Sequence, residues 1–567
     1  MKTMGIGEVA KLLGVKPYII RYWESELPLL APRKTVSGRR RYSSREVELL
    51  MRFKNLLYQR KFTVSGAKKE LWKELGGEAA DLRGKISEIR GEMIDLLVRL
   101  QGRKEGEMTE RECMEKYTAL GQERLFAHWD ARSEDMKRRL LDDLESLDPA
   151  VLESLRTHIS DAPRIPAIVR PAPFIGLEES RADAEALLIG EGLIRAGKTA
   201  FLTVAGGQGS RLGFDGPKGL FPISPIRKLT LFEVFAEKLR AARGRYGAVI
   251  PWCIMTSPHN EETTRLYFER QGYFGLGAES VRFFCQGSLP SLSPEGELLI
   301  GADGGLFFNP NGHGGTLEAL RAAGVLDELA ERGVEELFYF QIDNPLVTVP
   351  DPVFLGFHRR AASQISTKVI RKAFAEEKLG SIGVTPDGRP AVIEYSDMPA
   401  DLMHETAGDR GLKYSHGSIA IHILNVAYVS SGPTELPIHT ARKKVRVLNP
   451  GPGGAEIIDR EAMKFEMFIF DAIPAAERAL FFETERAEEF APVKNKEGVD
   501  SIETCVRGQI EKHSAWLSAC GVRVPRDAEG KPRFAVEISP LFAADRAALS
   551  RRRGDLPPEI NRDTLLV

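Results

Sequence analysis

Beyond Thr199 the chain reads as short apolar runs separated by helical segments, and this rhythm restricts its fold more than any other feature. Phe201–Ala205, Val249–Met255, Val281–Cys285 and Leu337–Ile342 are long enough for buried strands and too short for helices, while Thr230–Ala242 and Thr316–Ala322 between them have helical character. Strands alternating with helices predict an α/β domain on a mostly parallel sheet. That domain does not account for all 567 residues. A single hydrophobic core stops growing at about 250–300 residues, so two or more domains are expected.

The run Phe201–Ala205 feeds into Gly206-Gly207-Gln208-Gly209-Ser210-Arg211-Leu212-Gly213, with Pro217-Lys218-Gly219 close behind. Glycines after a strand let backbone N–H groups approach phosphate oxygens, and Arg211 and Lys218 would neutralise a triphosphate. Two common phosphate loops do not fit. The dinucleotide fingerprint needs glycine where Leu212 stands, and an acid closing the next strand, which here runs out at Thr256-Ser257. The Walker loop needs Gly-Lys-Ser/Thr, whereas Lys218 lies between Pro217 and Gly219. A plain tight turn explains the glycines by themselves, but not glycines, Arg211 and Pro-Lys-Gly together within 14 residues.

Two more clusters have the makings of a ligand site. Asn309-Pro310-Asn311-Gly312-His313-Gly314-Gly315-Thr316 precedes a helix and can bring backbone groups and His313 to a ligand at its N-terminus; a loop with an exposed histidine is the plainer reading. Phe338-Tyr339-Phe340-Gln341-Ile342-Asp343-Asn344 is an apolar strand ending in an acid. A carboxylate at the C-terminal edge of a parallel sheet is where ligands and Mg²⁺ are met, with a turn cap as the alternative for Asp343.

The N-terminus differs from the rest. Residues 1–70 hold 16 Lys/Arg against 6 Asp/Glu, in a chain whose overall balance is 79 against 80. A basic leading module on a mildly acidic body suggests a polyanionic partner for that module only. Residues 6–13 and 17–26 read as two short helices around Gly14, and Arg39-Arg40-Arg41-Tyr42 sits in a turn-like stretch after Pro32 and Gly38. Ser43 followed by Glu46 is a capping box that opens a third helix. A helix–turn–helix of this kind offers a recognition helix to the DNA major groove and cations to phosphates; a helical protein-interaction module with a solvated charged face is the competing reading. Farther on, Leu82, Ile86, Ile89, Met93, Leu96 and Leu100 step by four and three, a short seam for helix pairing. Five scattered cysteines without a CxxC pair, no run of 18 apolar residues and no apolar leader in Met1–Gly14 predict a soluble cytoplasmic protein with reduced thiols and no membrane association.

Two family resemblances sharpen these readings. Ile6-Gly7-Glu8-Val9-Ala10, Arg21-Tyr22-Trp23-Glu24 and Gly38-Arg39-Arg40-Arg41-Tyr42 resemble the DNA-binding domain of the MerR family over roughly residues 4–72. The likeness implies a winged helix–turn–helix that contacts DNA through Arg21, Tyr22, Arg40 and Arg41, and a homodimer joined through residues 82–100. Over about residues 113–545 the motifs resemble, in order, those of the UDP-N-acetylhexosamine pyrophosphorylase family of UDP-sugar pyrophosphorylases. That resemblance implies a nucleotide site with Gly206, Gly207 and Gly209, uracil reading at Gln286, Gly312 and His313, and Mg²⁺ at Asp343. It also implies sugar contacts at Glu394 and Ser418, and phosphate-side lysines at Lys464 and Lys494. The family carries Asn where His313 and Ser418 stand, which leaves the sugar open between N-acetylglucosamine 1-phosphate and glucose 1-phosphate.

The expected architecture is α/β: a winged helix–turn–helix (1–72), a dimerising helix and linker (73–108), a glycosyltransferase-A-like nucleotidyltransferase domain (109–480) and a smaller C-terminal portion (481–567). The expected reaction is uridylyl transfer from UTP to a sugar 1-phosphate, with Arg211, Lys218 and Lys494 stabilising charge on the phosphates. A transcription regulator whose nucleotidyltransferase body senses a UDP-sugar is the alternative.

Overall fold

The computed structural model describes residues 3–27, 30, 32–34, 40–60, 62, 67, 108–160, 168–433, 435–451 and 454–567. The chain divides into two compact units, Met1–Thr109 and Glu110–Val567.

The first unit runs β1 (Thr3–Gly5), α1 (Ile6–Leu13), α2 (Pro17–Glu26), β2 (Arg33–Lys34), β3 (Arg40–Ser43) and α3 (Ser44–Lys54). Both leading helices occupy the segments expected of them. Gly14 ends α1 at φ +60°, a left-handed conformation that glycine adopts without a Cβ clash. Pro17 opens α2, where its missing N–H has no helical partner to lose. The capping box at α3 is formed: the Ser43 hydroxyl accepts from the Glu46 N–H, and the Glu46 carboxylate accepts from the Ser43 N–H at 2.7 Å. The three strands form an antiparallel sheet in the order β1-β3-β2, and Val9, Leu13, Ile20, Trp23, Tyr42, Leu50 and Phe53 make the core. Arg39 and the pairing seam expected at 82–100 lie outside the described residues.

The second unit is built on a nine-stranded sheet. Its nucleotide half consists of β4 (Thr199–Val204), β5 (Trp252–Thr256), β6 (Val281–Cys285) and β7 (Glu336–Gln341), all paired parallel in the order β7-β4-β5-β6. The other half comprises β8 (Ile365–Arg371), β9 (Gly380–Val384), β10 (Pro390–Ile393) and β11 (His416–Asn425), with the antiparallel pairs β7–β11, β8–β11, β9–β11 and β9–β10. A mostly parallel sheet was expected, and the sheet is mixed. Residues 385–389 between β9 and β10 are too few for the crossover that a parallel pair needs, so the chain folds straight back.

Alternate residues along the strands divide between two cores. Phe201, Trp252, Ile254, Phe338 and Phe340 face one side; Ala200, Leu202, Cys253, Met255, Leu337 and Tyr339 face the other. Helices α4 (Ala184–Arg195), α5 (Leu231–Tyr246) and α7 (Pro352–Arg360) cover the first face, and α6 (Thr316–Ala322) covers the second. Helices α4 and α7 touch backbone to backbone: a Cβ on Gly356 would stand 1.8 Å from the Ala186 carbonyl oxygen.

A long hairpin follows, β12 (Ile438–Gly451) and β13 (Gly454–Met467), paired in register from Ile438↔Met467 to Gly451↔Gly454. The chain then returns to the sheet with β14 (Ala479–Glu483), parallel to β8. This strand straddles the boundary expected at 480/481, and Val493 and Cys505 still belong to the main core. A separate small core, with Trp516, Leu517, Val522, Val536 and Ile538, forms only near the C-terminus. Cys113, Cys253, Cys505 and Cys520 are buried free thiols and Cys285 is partly buried. Among the described residues no helix is long and apolar enough to cross a membrane.

Candidate active site

The glycine loop after β4 is pinned at its base and its closure. The Ala205 N–H donates to the Met255 carbonyl at 2.8 Å, and the buried Asn260 amide donates to the Ala205 carbonyl at 2.9 Å. Across the loop, the Gly209 N–H donates to the Gly216 carbonyl at 2.8 Å and the Lys218 N–H to the Gly207 carbonyl at 3.0 Å. The loop therefore delivers Lys218 to a fixed place, while Arg211 stands exposed on the turn Ser210–Leu212. Gly206 is required by contact: a Cβ there would lie 2.5 Å from Oε1 of Gln286.

Gln286, just past β6, is buried and donates to the Gly312 carbonyl at 3.3 Å. Gly312 has φ +84°, and a Cβ on it would meet the Met467 carbonyl oxygen at 2.4 Å. His313 is held from the opposite side. Its Nδ1 accepts the Ile469 N–H at 3.2 Å, and its ring stacks on Phe468 with centroids 5.3 Å apart. Close packing disfavours the charged imidazole and pulls it down to about 4, so it is neutral at pH 7, as an acceptor nitrogen requires.

Asp343 stands just beyond β7, beside the loop that follows the adjacent strand β4. Its carboxylate lies 3.4 Å from the Lys218 ammonium, and its backbone carbonyl accepts the Val493 N–H at 2.8 Å. That second bond carries Lys494 to the same cleft, which His313, Asp343, Lys378, Glu394, Ser418 and Phe470 also line. Ser418 reaches it from β11, where it pairs with Val369 and Gly380. Glu394 follows β10. Burial first, and then the neighbouring Asp397 carboxylate, push it up to about 7 against the opposing pull of Lys494.

Of the candidate residues, His313, Asp343, Glu394, Ser418 and Lys494 line one cleft, and Lys218 and Gln286 are tied to its edge through Asp343 and the Gly312 carbonyl. Lys464 is not among the side chains lining it: on β13 it shares a face with Glu466 two residues on, and its ammonium pairs there at 2.6 Å. Several cleft residues had no signal in the sequence. Lys378 and Phe490 belong to no motif; behind the lining, His439 on β12 bridges Asp397 at 3.2 Å and Asp471 at 2.8 Å. Its only clue was a lone histidine in a strand-like stretch. In the N-terminal unit, Arg21 and Tyr22 are exposed on α2, Arg40 lies on β3, and Arg41 lies 3.9 Å from Glu8.

Both units match known proteins. Residues 175–504 match the family model described as UTP–glucose-1-phosphate uridylyltransferase, and residues 4–73 match that of the MerR HTH family of regulatory proteins. UDP-N-acetylglucosamine diphosphorylase 1 of Arabidopsis thaliana is 32% identical over 456 residues, covering 76% of this chain and 88% of that protein. The UDP-N-acetylglucosamine pyrophosphorylase of Saccharomyces cerevisiae is 30% identical over 465 residues, covering 77% and 96%. Among solved structures, the uridine diphosphate N-acetylglucosamine pyrophosphorylase of Trypanosoma brucei superposes with a TM-score of 0.64 at 25% identity, over 82% of this chain and 99% of the other.

Proposed function

Because this chain belongs to the UTP–glucose-1-phosphate uridylyltransferase family, we propose that it transfers the uridylyl group of UTP to a sugar 1-phosphate, N-acetylglucosamine 1-phosphate first, and releases pyrophosphate. The observation that carries this reading is the pairing of Lys218 with Asp343 at a cleft that Lys494, His313, Glu394 and Ser418 also line, with Gln286 bonded to the carbonyl of Gly312 next to His313.

Gln286, whose amide donates to the Gly312 carbonyl, has the donor and acceptor groups to read a pyrimidine edge. The glycine loop brings N–H groups to the phosphates, and Lys218, Lys494 and the exposed Arg211 spread positive charge along the chain of phosphates. The sugar phosphate oxygen attacks the α-phosphorus in line, the bond to the pyrophosphate oxygen breaks, and pyrophosphate leaves. Positioning and charge stabilisation are all the protein needs to supply.

Asp343 suits a Mg²⁺ ion held mainly by the substrate. Among the described residues no group of three or more His, Cys, Asp or Glu side chains is arranged around a common point. Mg²⁺ is usually bound by one or two carboxylates plus substrate phosphates, which a single Asp343 matches. When bound, the ion would offset charge on the phosphates.

For the N-terminal unit we propose a winged helix–turn–helix that binds duplex DNA, supported by the match to the MerR family model, the exposed Arg21 and Tyr22, and the basic composition of residues 1–70. Pyrophosphate release from UTP and N-acetylglucosamine 1-phosphate with Mg²⁺ tests the enzyme. UDP-sugar binding without turnover would instead make the body a sensor for the DNA-binding unit. Retardation of duplex DNA by the full chain, falling steeply with salt and lost when residues 1–109 are removed, tests the second activity.

A further inference from the structure

The sugar half of the cleft has two walls that come from distant parts of the chain. One is the turn after β10, in which the Asp397 N–H donates to the Glu394 carbonyl at 3.0 Å and so ties Asp397 to Glu394. The other is the segment Phe468–Asp471 at the end of the hairpin, where the Asp471 N–H donates to the Phe468 carbonyl at 3.1 Å. Nothing in the local sequence of either wall sets the gap between them.

His439 spans that gap. From the start of β12 its Nδ1 lies 3.2 Å from Oδ2 of Asp397, and its Nε2 lies 2.8 Å from Oδ2 of Asp471. Its ring packs on Phe468 with centroids 4.5 Å apart, and Phe468 in turn stacks on His313 and Phe470. With a carboxylate at each nitrogen, both nitrogens act as donors, which defines an imidazolium. We infer that His439 is a positioning residue of the sugar pocket, holding the Glu394 turn and the Phe468–Phe470 wall at the separation that a sugar 1-phosphate requires.

The electrostatics agree with the geometry. Burial works against the imidazolium, but the hydrogen bonds to Asp397 and Asp471 outweigh it and raise the group to about 9. The other titratable groups around the cluster are Glu394 and His313, the cross-strand neighbour Glu466, and Lys494, which acts on Glu394. Without the cation, Asp397 and Asp471 would face one another as like charges, and the two walls would move apart or take up a proton.

The inference rests on the uridylyltransferase reading, and the test separates the two. In the full chain, His439→Gln should raise the KM for sugar 1-phosphate about tenfold or more and leave the KM for UTP within about threefold, because one wall pair is loosened and the uracil side is not. His439→Lys, which restores a cation with several donors, should recover much of that loss. In the parent, the KM for sugar 1-phosphate should climb as pH passes about 9, and this inflection should be missing from His439→Gln. Calorimetry supplies a measurement independent of turnover: His439→Gln should weaken UDP-N-acetylglucosamine binding about tenfold relative to UTP binding. Equal losses for both nucleotides, or no loss in either measurement, would overturn the role of His439. A parent that binds both nucleotides but releases no pyrophosphate with any sugar 1-phosphate would overturn the enzyme reading, and the binding ratio would still decide the role of His439.

Discussion

The Lys218 ammonium lies 3.4 Å from Oδ2 of Asp343, reached from neighbouring parallel strands, β4 through its glycine loop and β7 directly. In the proposed reaction the ammonium would draw in phosphate oxygens and the carboxylate would hold a cation among them. Lys218→Ala is expected to lower turnover at least about tenfold and to leave the chain folded, because its loop is closed by backbone hydrogen bonds that the substitution does not touch. Steady-state pyrophosphate release together with a thermal melt measures both. Turnover within about twofold of the parent would remove Lys218 from the site.

Gly206→Ala probes the uracil side. The new methyl group would stand 2.5 Å from Oε1 of Gln286, whose amide must then swing away from the Gly312 carbonyl it now engages. The fold should survive, since the displaced atom ends a rotatable side chain. The KM for UTP should rise about tenfold, the size of one good hydrogen bond, and more than the KM for sugar 1-phosphate. The reverse order would place Gln286 outside base recognition.

Ser418 bears on the choice of sugar. Its hydroxyl lines the cleft from β11 and accepts the Ala420 N–H at 3.3 Å, so part of its capacity is spent within the strand. A short side chain so engaged selects weakly, and glucose 1-phosphate should compete with N-acetylglucosamine 1-phosphate within about two orders of magnitude. Ser418→Asn, with a longer reach and both a donor and an acceptor, should shift the ratio toward the amino sugar. An unchanged ratio from a parent that already rejects glucose 1-phosphate strongly would show that Ser418 does not read the sugar.

Glu394 gives a pH signature in stability. Its carboxyl is raised to about 7 in the folded chain from an ordinary value of 4.5. Between those values the folded chain holds a proton that the unfolded chain has released, so the contribution to stability is full below about 4.5 and is lost as pH rises through about 7. Glu394→Gln removes the titration. The melting temperature of the variant relative to the parent should therefore increase from pH 5 to pH 8, measured without ligand. A constant difference would mean that Glu394 titrates normally.

Much of the nucleotide half was legible from residues alone. Val281–Cys285 and Thr316–Ala322 occupy the expected spans, and β4, β5 and β7 differ from the apolar runs that announced them by one to three residues at an end. These strands are buried on both faces and read as continuous hydrophobic runs, and each phosphate-side motif sits in the loop after its strand. The sugar half was not legible in this way. Strands β8, β9 and β11 carry buried polar residues such as Ser366, Thr367, Lys368, Ser381 and His422, which break the apolar pattern. Their partners are distant in sequence, and Glu394 and Ser418 were found by likeness to a family, not by pattern. His439 lay beyond both routes. Its role depends on Asp397 and Asp471, 42 and 32 residues away, and only the folded hairpin brings the three together.

The strand Glu336–Gln341 runs parallel to its neighbour on one side and antiparallel to its neighbour on the other. On the parallel side it ends beside the glycine loop of β4 and carries Asp343 just past its end. On the antiparallel side it pairs only with His422–Asn425 of β11, and Ser418 lies outside that stretch. An exchange at Ser418 therefore alters the lining of the cleft at a point that does not hold the register between the two halves of the sheet.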